Sequence, residues 1–140
     1  MLEIKQMKTE QQVHDCFKVM SQLRPHIIEN EFIEMIQQQF KNGYQLVSVL
    51  ADGNVVAVAG FHIRQNLAWG KYLYIEDLIT EQNFRSNGLG KKLLVWLHHE
   101  AKNNQCKQLH LDSGIKRKDA HRFYEREGMT FASHHYVSHL

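Results

Sequence analysis

Residues 85–90 carry the sequence Arg-Ser-Asn-Gly-Leu-Gly between a strand-like run and a helix-like run. The preceding residues, 72–79, are rich in β-branched and aromatic side chains, which are typical of strands. Between Leu89 and Ala101, apolar residues recur every three or four positions, as on the buried side of a helix. A glycine-bearing turn that opens a helix exposes backbone N–H groups at the positive end of the helix dipole, where phosphates bind. The segment is therefore either a phosphate or pyrophosphate site, or a strand-to-helix connection whose glycines only allow a tight turn.

Composition argues against several classes of partner. The chain has 140 residues, of which 43% are apolar and 23% charged, as in an ordinary globular domain. A formal net charge of only +2 gives no electrostatic argument for binding nucleic acid or an anionic membrane. No apolar run is long enough to span a bilayer, and we expect no leader at Met1. Because the two cysteines, Cys16 and Cys106, have no motif spacing, we expect a reduced, cytoplasmic protein.

The ten histidines do not form a metal-binding pattern. Two pairs are adjacent in sequence, at positions 98–99 and 134–135. Adjacent side chains diverge by about 100° on a helix and point to opposite faces of a strand, so neither pair chelates an ion alone. The HExxH and CxxC patterns are absent from the sequence. We therefore expect no metal site.

Strand and helix patterns follow one another over a single predicted domain, residues 1–140. Thr9 is a predicted N-cap, Pro25 ends the first helix, and Asp52-Gly53 between apolar runs predicts a hairpin. The predicted strands cover residues 2–7, 44–50, 55–63, 72–80, 108–112 and 130–139. The predicted helices lie between Thr9 and Pro25, over 30–41, after the glycine loop, and over 119–127. This β-α-α-β-β-β-α-β-α-β order indicates an α/β fold with one mixed sheet.

A second motif lies on the predicted last helix, about 35 residues after the first. It runs from Ala120 to Gly128 and has the form Ala-x-x-Phe-Tyr-x-x-x-Gly. Together, strand, Arg-x-x-Gly-x-Gly, helix, strand and this last helix resemble the pattern of the GNAT superfamily of N-acetyltransferases over essentially the whole chain. The resemblance implies a GNAT-like acyl-CoA N-acyltransferase fold, acetyl-CoA as co-substrate and a primary amine as acceptor.

The resemblance also implies which residues bind the cofactor. The pyrophosphate loop of the superfamily corresponds to Arg85, Ser86, Asn87, Gly88, Leu89 and Gly90, with Lys91 beginning the helix behind it. Backbone N–H groups grip the diphosphate in such a loop, and residues without Cβ let it approach closely. Many relatives carry glycine where this chain has Ser86. The strand before the loop, at Leu78, Ile79 and Thr80, corresponds to the strand that pairs with the pantetheine amides and polarises the acetyl carbonyl.

Two further positions match catalytic residues of the superfamily. Tyr124 corresponds to a tyrosine that protonates the departing CoA thiolate, and the alternative is a tyrosine that only packs between helix and sheet. Glu76 corresponds to a glutamate that takes the proton of the amine. Strand alternation predicts that Glu76 shares a face with Tyr72 and Tyr74, while Asp77 points to the opposite face. Asp77 remains the alternative base.

Two side chains near Tyr124 carry separate expectations. Phe123 is turned about 100° away from Tyr124 on the helix, so we expect it in the core. Arg117 stands where the superfamily often has an asparagine that contacts the cofactor, and the alternatives for Arg117 are a contact with a CoA phosphate and a solvated side chain. Residues 116–128 are similar to those of small bacterial acetyltransferases, including aminoalkylphosphonate N-acetyltransferases. This similarity lies in the cofactor half and says little about the acceptor.

The predicted function is acetyl-CoA-dependent N-acetylation of a primary amine of a small molecule, by direct attack on the thioester. The expected partners are acetyl-CoA and the amine, without nucleic acid or membrane, and a homodimer is left open. The alternative is a non-catalytic acyl-CoA-binding or sensor module of the same fold. The presence of Tyr124 and of an acid on the preceding strand favours the enzyme.

Overall fold

The computed structural model describes every residue, Met1–Leu140. Its strands are β1 (Leu2–Met7), β2 (Gln45–Ala51), β3 (Asn54–Asn66), β4 (Gly70–Thr80) and β5 (Gln108–Leu111). Its helices are α1 (Glu10–Asp15), α2 (Phe17–Leu23), α3 (Glu29–Phe40), α4 (Leu89–Asn103) and α5 (Lys118–Arg126). Contacts divide the chain into two compact units, Met1–His110 and Leu111–Leu140.

Strands β1 to β4 form an antiparallel meander in the order of the sequence. The β2–β3 hairpin closes through Asp52 and Gly53, whose φ angles of +49° and +85° suit a two-residue hairpin turn. β5 lies next to β4, and the N–H of Lys107 donates to the carbonyl of Lys71 over 2.7 Å. The two strands therefore start side by side and run parallel, as the crossover through α4 allows. The mixed α/β sheet is confirmed.

Helices cover both faces of the meander. On one face, α1, α2 and α3 pack onto the sheet through a buried cluster of Met7, Val13, Cys16, Val19, Met20, Phe32, Ile36, Tyr44, Leu46, Val58 and Ile79. On the other face, α4 buries its apolar side, and Trp96 meets the ring of Phe61 edge-on with centroids 6.0 Å apart. Burying one large apolar side chain contributes about 1.5–3 kcal/mol, so these layers hold β4 firmly in place.

The region between Thr9 and Pro25 forms two helices instead of the one predicted. The predicted N-cap is confirmed, because Thr9 and Gln12 exchange the two hydrogen bonds of a capping box. The break between α1 and α2 falls at Cys16, whose N–H bonds the carbonyl of Val13 three residues back. Its buried thiol lies 3.3 Å from Oγ of Ser48 on β2, so the break coincides with close packing on the sheet.

The unit Leu111–Leu140 contains α5 and no sheet of its own. The helix ends shortly before Gly128, whose φ of +92° stops it as predicted. The strand predicted over residues 130–139 is wrong: residues 130–140 form neither helix nor strand, and all are exposed. A strand must pair its backbone groups with a neighbour, and beyond Leu111 this unit has no other strand residues.

The expectation that Phe123 lies in the core is also wrong. No residue of α5 is fully buried, and Phe123 is half-buried with the guanidinium of Arg126 placed 5.7 Å from its ring centre. Most residues of this helix are charged or histidine, which leaves it too few apolar side chains to make a buried face. Across the whole structure, no helix combines the length and hydropathy needed to cross a bilayer.

Candidate active site

The turn after β4 is held by a buried carboxylate. Glu81 is 6% exposed, and its carboxylate accepts hydrogen bonds from the N–H of Asn83 at 2.8 Å and from the side chain of Gln22 at 3.2 Å. Gln22 in turn accepts from the N–H of Gln82 at 2.9 Å. These bonds fix a short 3₁₀ turn, Gln82–Phe84, and thereby the start of the glycine loop. The loop is thus anchored to α2 on one side and to β4 on the other.

The glycine loop ends in an open helix terminus. Gly88 is the N-cap of α4 with φ +75° and ψ 14°, and no side chain caps the first turn. The left-handed φ favours glycine, and a Cβ added there would meet no atom of the protein within 4 Å. Residues 85–88 are exposed, as are Lys91 and Lys92 in the first turn of the helix. The terminus therefore presents backbone N–H groups and positive charge in the geometry that suits a phosphate.

Ser86 also occupies a conformation that favours glycine. Its φ is +69°, in the left-handed region. The serine therefore keeps the backbone shape of a glycine-rich loop. This shape is retained at an energetic cost, since a left-handed residue with a Cβ is disfavoured by about 1–2 kcal/mol.

Ser86→Gly is expected to stabilise the folded protein by up to about 1 kcal/mol. Relief of the left-handed strain, about 1–2 kcal/mol, exceeds the extra freedom of glycine in the unfolded chain, about 0.5–1 kcal/mol. Urea unfolding measures the difference. Ser86→Ala is the matched control, because alanine removes the hydroxyl and keeps the strained Cβ. Equal stability of the glycine and alanine variants would show that the backbone strain is not the cause.

One edge of β4 is open beside the loop. Leu78, Ile79 and Thr80 pair on one side with Ala59, Val58 and Ala57 of β3. On the other side, β5 has only four residues and starts beside the start of β4, so it reaches only the first half of the eleven-residue strand. The free backbone groups of the second half can accept an extended ligand as an added strand. An extended thioester arm with a diphosphate at one end fits this edge and the adjoining helix terminus.

A β-bulge in β4 changes the face of the sheet to which the side chains of Glu76 and Asp77 point. Gly60 of β3 pairs with Asp77 and the next residue, Phe61, pairs with Ile75, so Glu76 is an extra residue on β4. The bulge brings both carboxylates to the face covered by α1, α2 and α3. The prediction that Glu76 and Asp77 point to opposite faces is therefore wrong, because alternation holds only along an unbroken ladder.

Asp77 is fully engaged in the structure. Its Oδ1 accepts a hydrogen bond from Nε of Arg24 at 3.0 Å, and its Oδ2 accepts one from the hydroxyl of Tyr44 at 2.6 Å. Nη2 of Arg24 donates a hydrogen bond to the backbone carbonyl of Glu76 at 3.0 Å and so stabilises the bulge. A Cβ on Gly60 would overlap the Tyr44 hydroxyl, so glycine is required there. Burial and the negative charge of Asp77 raise the pKa of Tyr44 well above its ordinary value, which keeps the hydroxyl a donor.

Glu76 is the more available acid. Its side chain is 45% exposed, against 16% for Asp77, and Oε1 lies 3.4 Å from Nδ1 of His62 on β3. The ring of His62 in turn packs on Tyr44 with centroids 5.5 Å apart. The geometry therefore assigns different environments to two adjacent carboxylates: one is tied to an arginine and a tyrosine, and the other is partly open to solvent.

Tyr124 lies in the Leu111–Leu140 unit, whereas all the predicted cofactor residues and Glu76 lie in Met1–His110. It is half-buried on α5, beside the ring of Phe123 at 5.3 Å. Burial raises the pKa of Tyr124 above its ordinary value, and the positive charge of Arg117 opposes the rise. The phenol is therefore protonated at neutral pH, as a proton donor must be. Arg117 itself is exposed at the N-cap of the helix.

Sequence reasoning missed three side chains of this site, Arg24, Tyr44 and His62. They lie in three separate parts of the chain, 18 or more residues apart, and no motif links them. The one local signal was Gly60, a glycine inside an apolar strand, which often marks a bulge or a close approach of another group.

Comparison with known proteins identifies the family. The sequence model of the Acetyltransferase (GNAT) family matches residues 11–129, which is most of the chain. The protein belongs to this family of acetyltransferases, as its two motifs predicted. It is an N-acetyltransferase, and its co-substrate is acetyl-CoA.

Individual relatives agree with this assignment. The chain is 30% identical over 136 residues to an uncharacterized N-acetyltransferase, YhdJ, of Bacillus subtilis (strain 168), covering 96% of each protein. It is 35% identical over 80 residues to the aminoalkylphosphonate N-acetyltransferase of Salmonella typhimurium, covering 56% of this chain and 52% of that protein. The solved structure of AAC(6')-Iy in complex with the bisubstrate analog CoA-S-monomethyl-acetylneamine superimposes with a TM-score of 0.88 at 15% identity. That match covers 100% of this chain and 98% of the other, which shows a common fold.

Proposed function

We propose that the protein moves the acetyl group of acetyl-CoA to a primary amine of a small molecule, by direct attack of the amine on the thioester. The observation that carries the proposal is the position of Glu76. This carboxylate is 45% exposed at the bulge of β4, two residues before the open edge that begins at Leu78. A base and a row of free backbone donors on neighbouring residues of one strand are the groups that amine acylation requires.

The proposed base, Glu76, has to remove the proton of the amine. An alkylammonium with a pKa of about 10.4 is mostly protonated at pH 7, which costs about 4.6 kcal/mol before any attack. Glu76 takes this proton, directly or through water, while Asp77 stays tied to Arg24 and Tyr44. The asymmetry between the two carboxylates supports Glu76 over Asp77 as base.

The cofactor is held by backbone groups. Leu78, Ile79 and Thr80 pair with the amides of the pantetheine arm, and one of their N–H groups polarises the acetyl carbonyl, a role worth about 3–4 kcal/mol. Residues 85–90 and Lys91 hold the diphosphate at the open terminus of α4. Tyr124 donates its phenolic proton to the departing sulfur as the amide bond forms.

Among small amines, those that carry a phosphonate or phosphate group are the first acceptors to test. Two relatives are named for such acceptors: the aminoalkylphosphonate N-acetyltransferase and the glucosamine 6-phosphate N-acetyltransferase of Arabidopsis thaliana, which is 36% identical over 61 residues. The latter match covers 44% of this chain and 39% of that protein. A net charge of +2 offers no broad acidic surface for a basic peptide, which supports the small acceptor.

A panel of acceptors tests the proposal. Aminomethylphosphonate, glucosamine 6-phosphate, spermidine, an aminoglycoside and a lysine-rich peptide are each incubated with acetyl-CoA. Free thiol and the mass of the acceptor are then followed. We expect equimolar thiol and N-acetylated product with at least one of the small amines. Acetyl-CoA binding without product from any amine would favour the sensor module, and transfer to the peptide alone would contradict the small acceptor.

Replacing each of the two acids by its amide separates their roles. We expect Glu76→Gln to lower kcat/KM by about 10²-fold at neutral pH and to recover partly at high pH, where the free amine is abundant. Asp77→Asn is the matched control: it should lose stability, because Arg24 and Tyr44 lose their charged partner, without any rescue by pH. Recovery of kcat/KM at high pH in the Asp77 variant instead would make Asp77 the base. Equal, pH-independent losses of kcat/KM in both variants would mean that solvent takes the proton of the amine.

A further inference from the structure

His62 is a buried titratable side chain behind the proposed base. It lies on β3 with 7% of its surface exposed, and its Nδ1 is a buried nitrogen without a hydrogen-bond partner. Oε1 of Glu76 lies 3.4 Å from this nitrogen, within reach but not aligned for a hydrogen bond. A buried ring nitrogen without a hydrogen-bond partner destabilises the fold. A histidine at this position is therefore expected to have a role other than stability.

The surroundings of His62 direct its nitrogen to one carboxylate. The groups that face it are Arg64 on its own strand, Glu76 and Asp77 on β4, and Tyr44 before β2. Arg24, at the end of α2, neutralises Asp77, whose two oxygens are both bonded. Glu76 is therefore the one facing acid whose carboxylate is not already bonded to other side chains.

His62 is neutral and able to accept a proton at neutral pH. Burial lowers the pKa of His62 and the charge of Arg64 lowers it further, whereas Glu76 and Asp77 oppose this decrease. A glutamate without a second basic group is a weak acceptor for the proton of an amine. The ordinary pKa of histidine, about 6.5, is higher than that of glutamate, about 4.3. The lowered pKa of His62 reduces this difference, and the negative charge of Glu76 opposes the reduction.

We propose that His62 is a positioning residue that works through Glu76 by taking up the proton that this carboxylate removes from the amine. The acceptor ammonium gives its proton to Oε1 of Glu76, which becomes a neutral acid. The carboxyl group turns to align its O–H with Nδ1 of His62. The O–H bond then breaks as an N–H bond forms at Nδ1, which leaves a carboxylate beside an imidazolium. The imidazolium finally releases the proton to water. The inference rests on the proposed role of Glu76 and extends it to a pair.

Two variants of His62 separate proton uptake from packing. His62→Asn places an amide N–H near the position of Nδ1 without basicity, and His62→Phe keeps a ring against Tyr44. With acetyl-CoA and aminomethylphosphonate, we expect both variants to lower kcat at pH 7 about tenfold or more. We also expect the acidic limb of the kcat profile to move to lower pH, as for a lone glutamate. His99→Gln, an exposed change on α4, is the control and should match wild type.

Other outcomes overturn the inference. Wild-type kcat and an unmoved acidic limb in His62→Asn would show that a hydrogen-bond donor is enough. Loss of rate in His62→Asn with wild-type kcat in His62→Phe would show that the ring only packs. Loss of rate in both variants without movement of the acidic limb would show that His62 takes up no proton.

An NMR titration of the His62 ring needs no acceptor, so it separates this inference from failure of the proposed function. We expect Glu76→Gln to lower the titration midpoint of His62, because the carboxylate raises it. An unchanged midpoint in that variant would overturn the pairing even where wild type acetylates an amine. A lowered midpoint together with no turnover of any amine would support the pair and reject the proposed function alone.

Discussion

Tyr124→Phe is expected to lower kcat by about 10²-fold or more, with the fold and acetyl-CoA binding retained. The departing sulfur leaves as a thiolate, and the phenol is the donor proposed for it. Burial raises the pKa of Tyr124, so the hydroxyl holds its proton at neutral pH and can release it only to a strong base. Steady-state kinetics with aminomethylphosphonate measure kcat, and calorimetry measures the affinity for acetyl-CoA.

Tyr136→Phe is the matched control for this change. Tyr136 lies in the same unit and is 88% exposed, so loss of its hydroxyl should leave kcat unchanged. Wild-type turnover in Tyr124→Phe would make Tyr124 a packing residue, which is the alternative that the sequence leaves open.

Gly88→Asp should weaken acetyl-CoA binding by about 10²-fold or more. The aspartate side chain would lie at the uncapped start of α4, where it would repel the diphosphate proposed to bind there and occupy its place. It can also accept a hydrogen bond from the first-turn N–H groups and so remove them from the ligand. Calorimetry with acetyl-CoA gives the change in affinity.

The hairpin glycine provides a control of equal backbone strain. Gly53 has φ +85° against +75° for Gly88, and a Cβ at either position meets no atom within 4 Å. Gly53→Asp should therefore lose similar stability and keep the affinity of wild type for acetyl-CoA. Equal loss of affinity in both variants would attribute the effect to folding, and unchanged affinity in folded Gly88→Asp would exclude the loop as the diphosphate site.

The sequence alone predicted the structure correctly wherever a short stretch of chain determines its own conformation. The hairpin at Asp52-Gly53 and the capping box at Thr9 depend on neighbouring residues alone, and both form as predicted. The helix after the glycine loop follows from its apolar spacing, and Gly88 adopts the left-handed φ that its position requires. The proposed cofactor loop also rests on these local signals, because its chemistry would lie in the backbone.

The facing of the acids could not be predicted in the same way. Alternation along β4 fails at Glu76 because a bulge inserts one residue, and the bulge is held by Arg24 from another element. Tyr44 and His62 likewise reach the acids from distant parts of the sequence. The strand predicted over residues 130–139 has strand-like composition but no neighbour within its unit, and composition alone does not supply one.

The most direct test of the acetyl-CoA site is an NMR titration of the wild-type protein labelled with ¹⁵N. The proposed site joins the open edge of β4 to the terminus of α4, so one ligand should contact both segments. We expect the backbone amides of Leu78, Ile79 and Thr80 and those of Gly88 to Lys91 to shift together, with a single micromolar Kd. Shifts confined to one of the two segments, or no shifts at millimolar acetyl-CoA, would contradict a site built from this edge and this helix terminus.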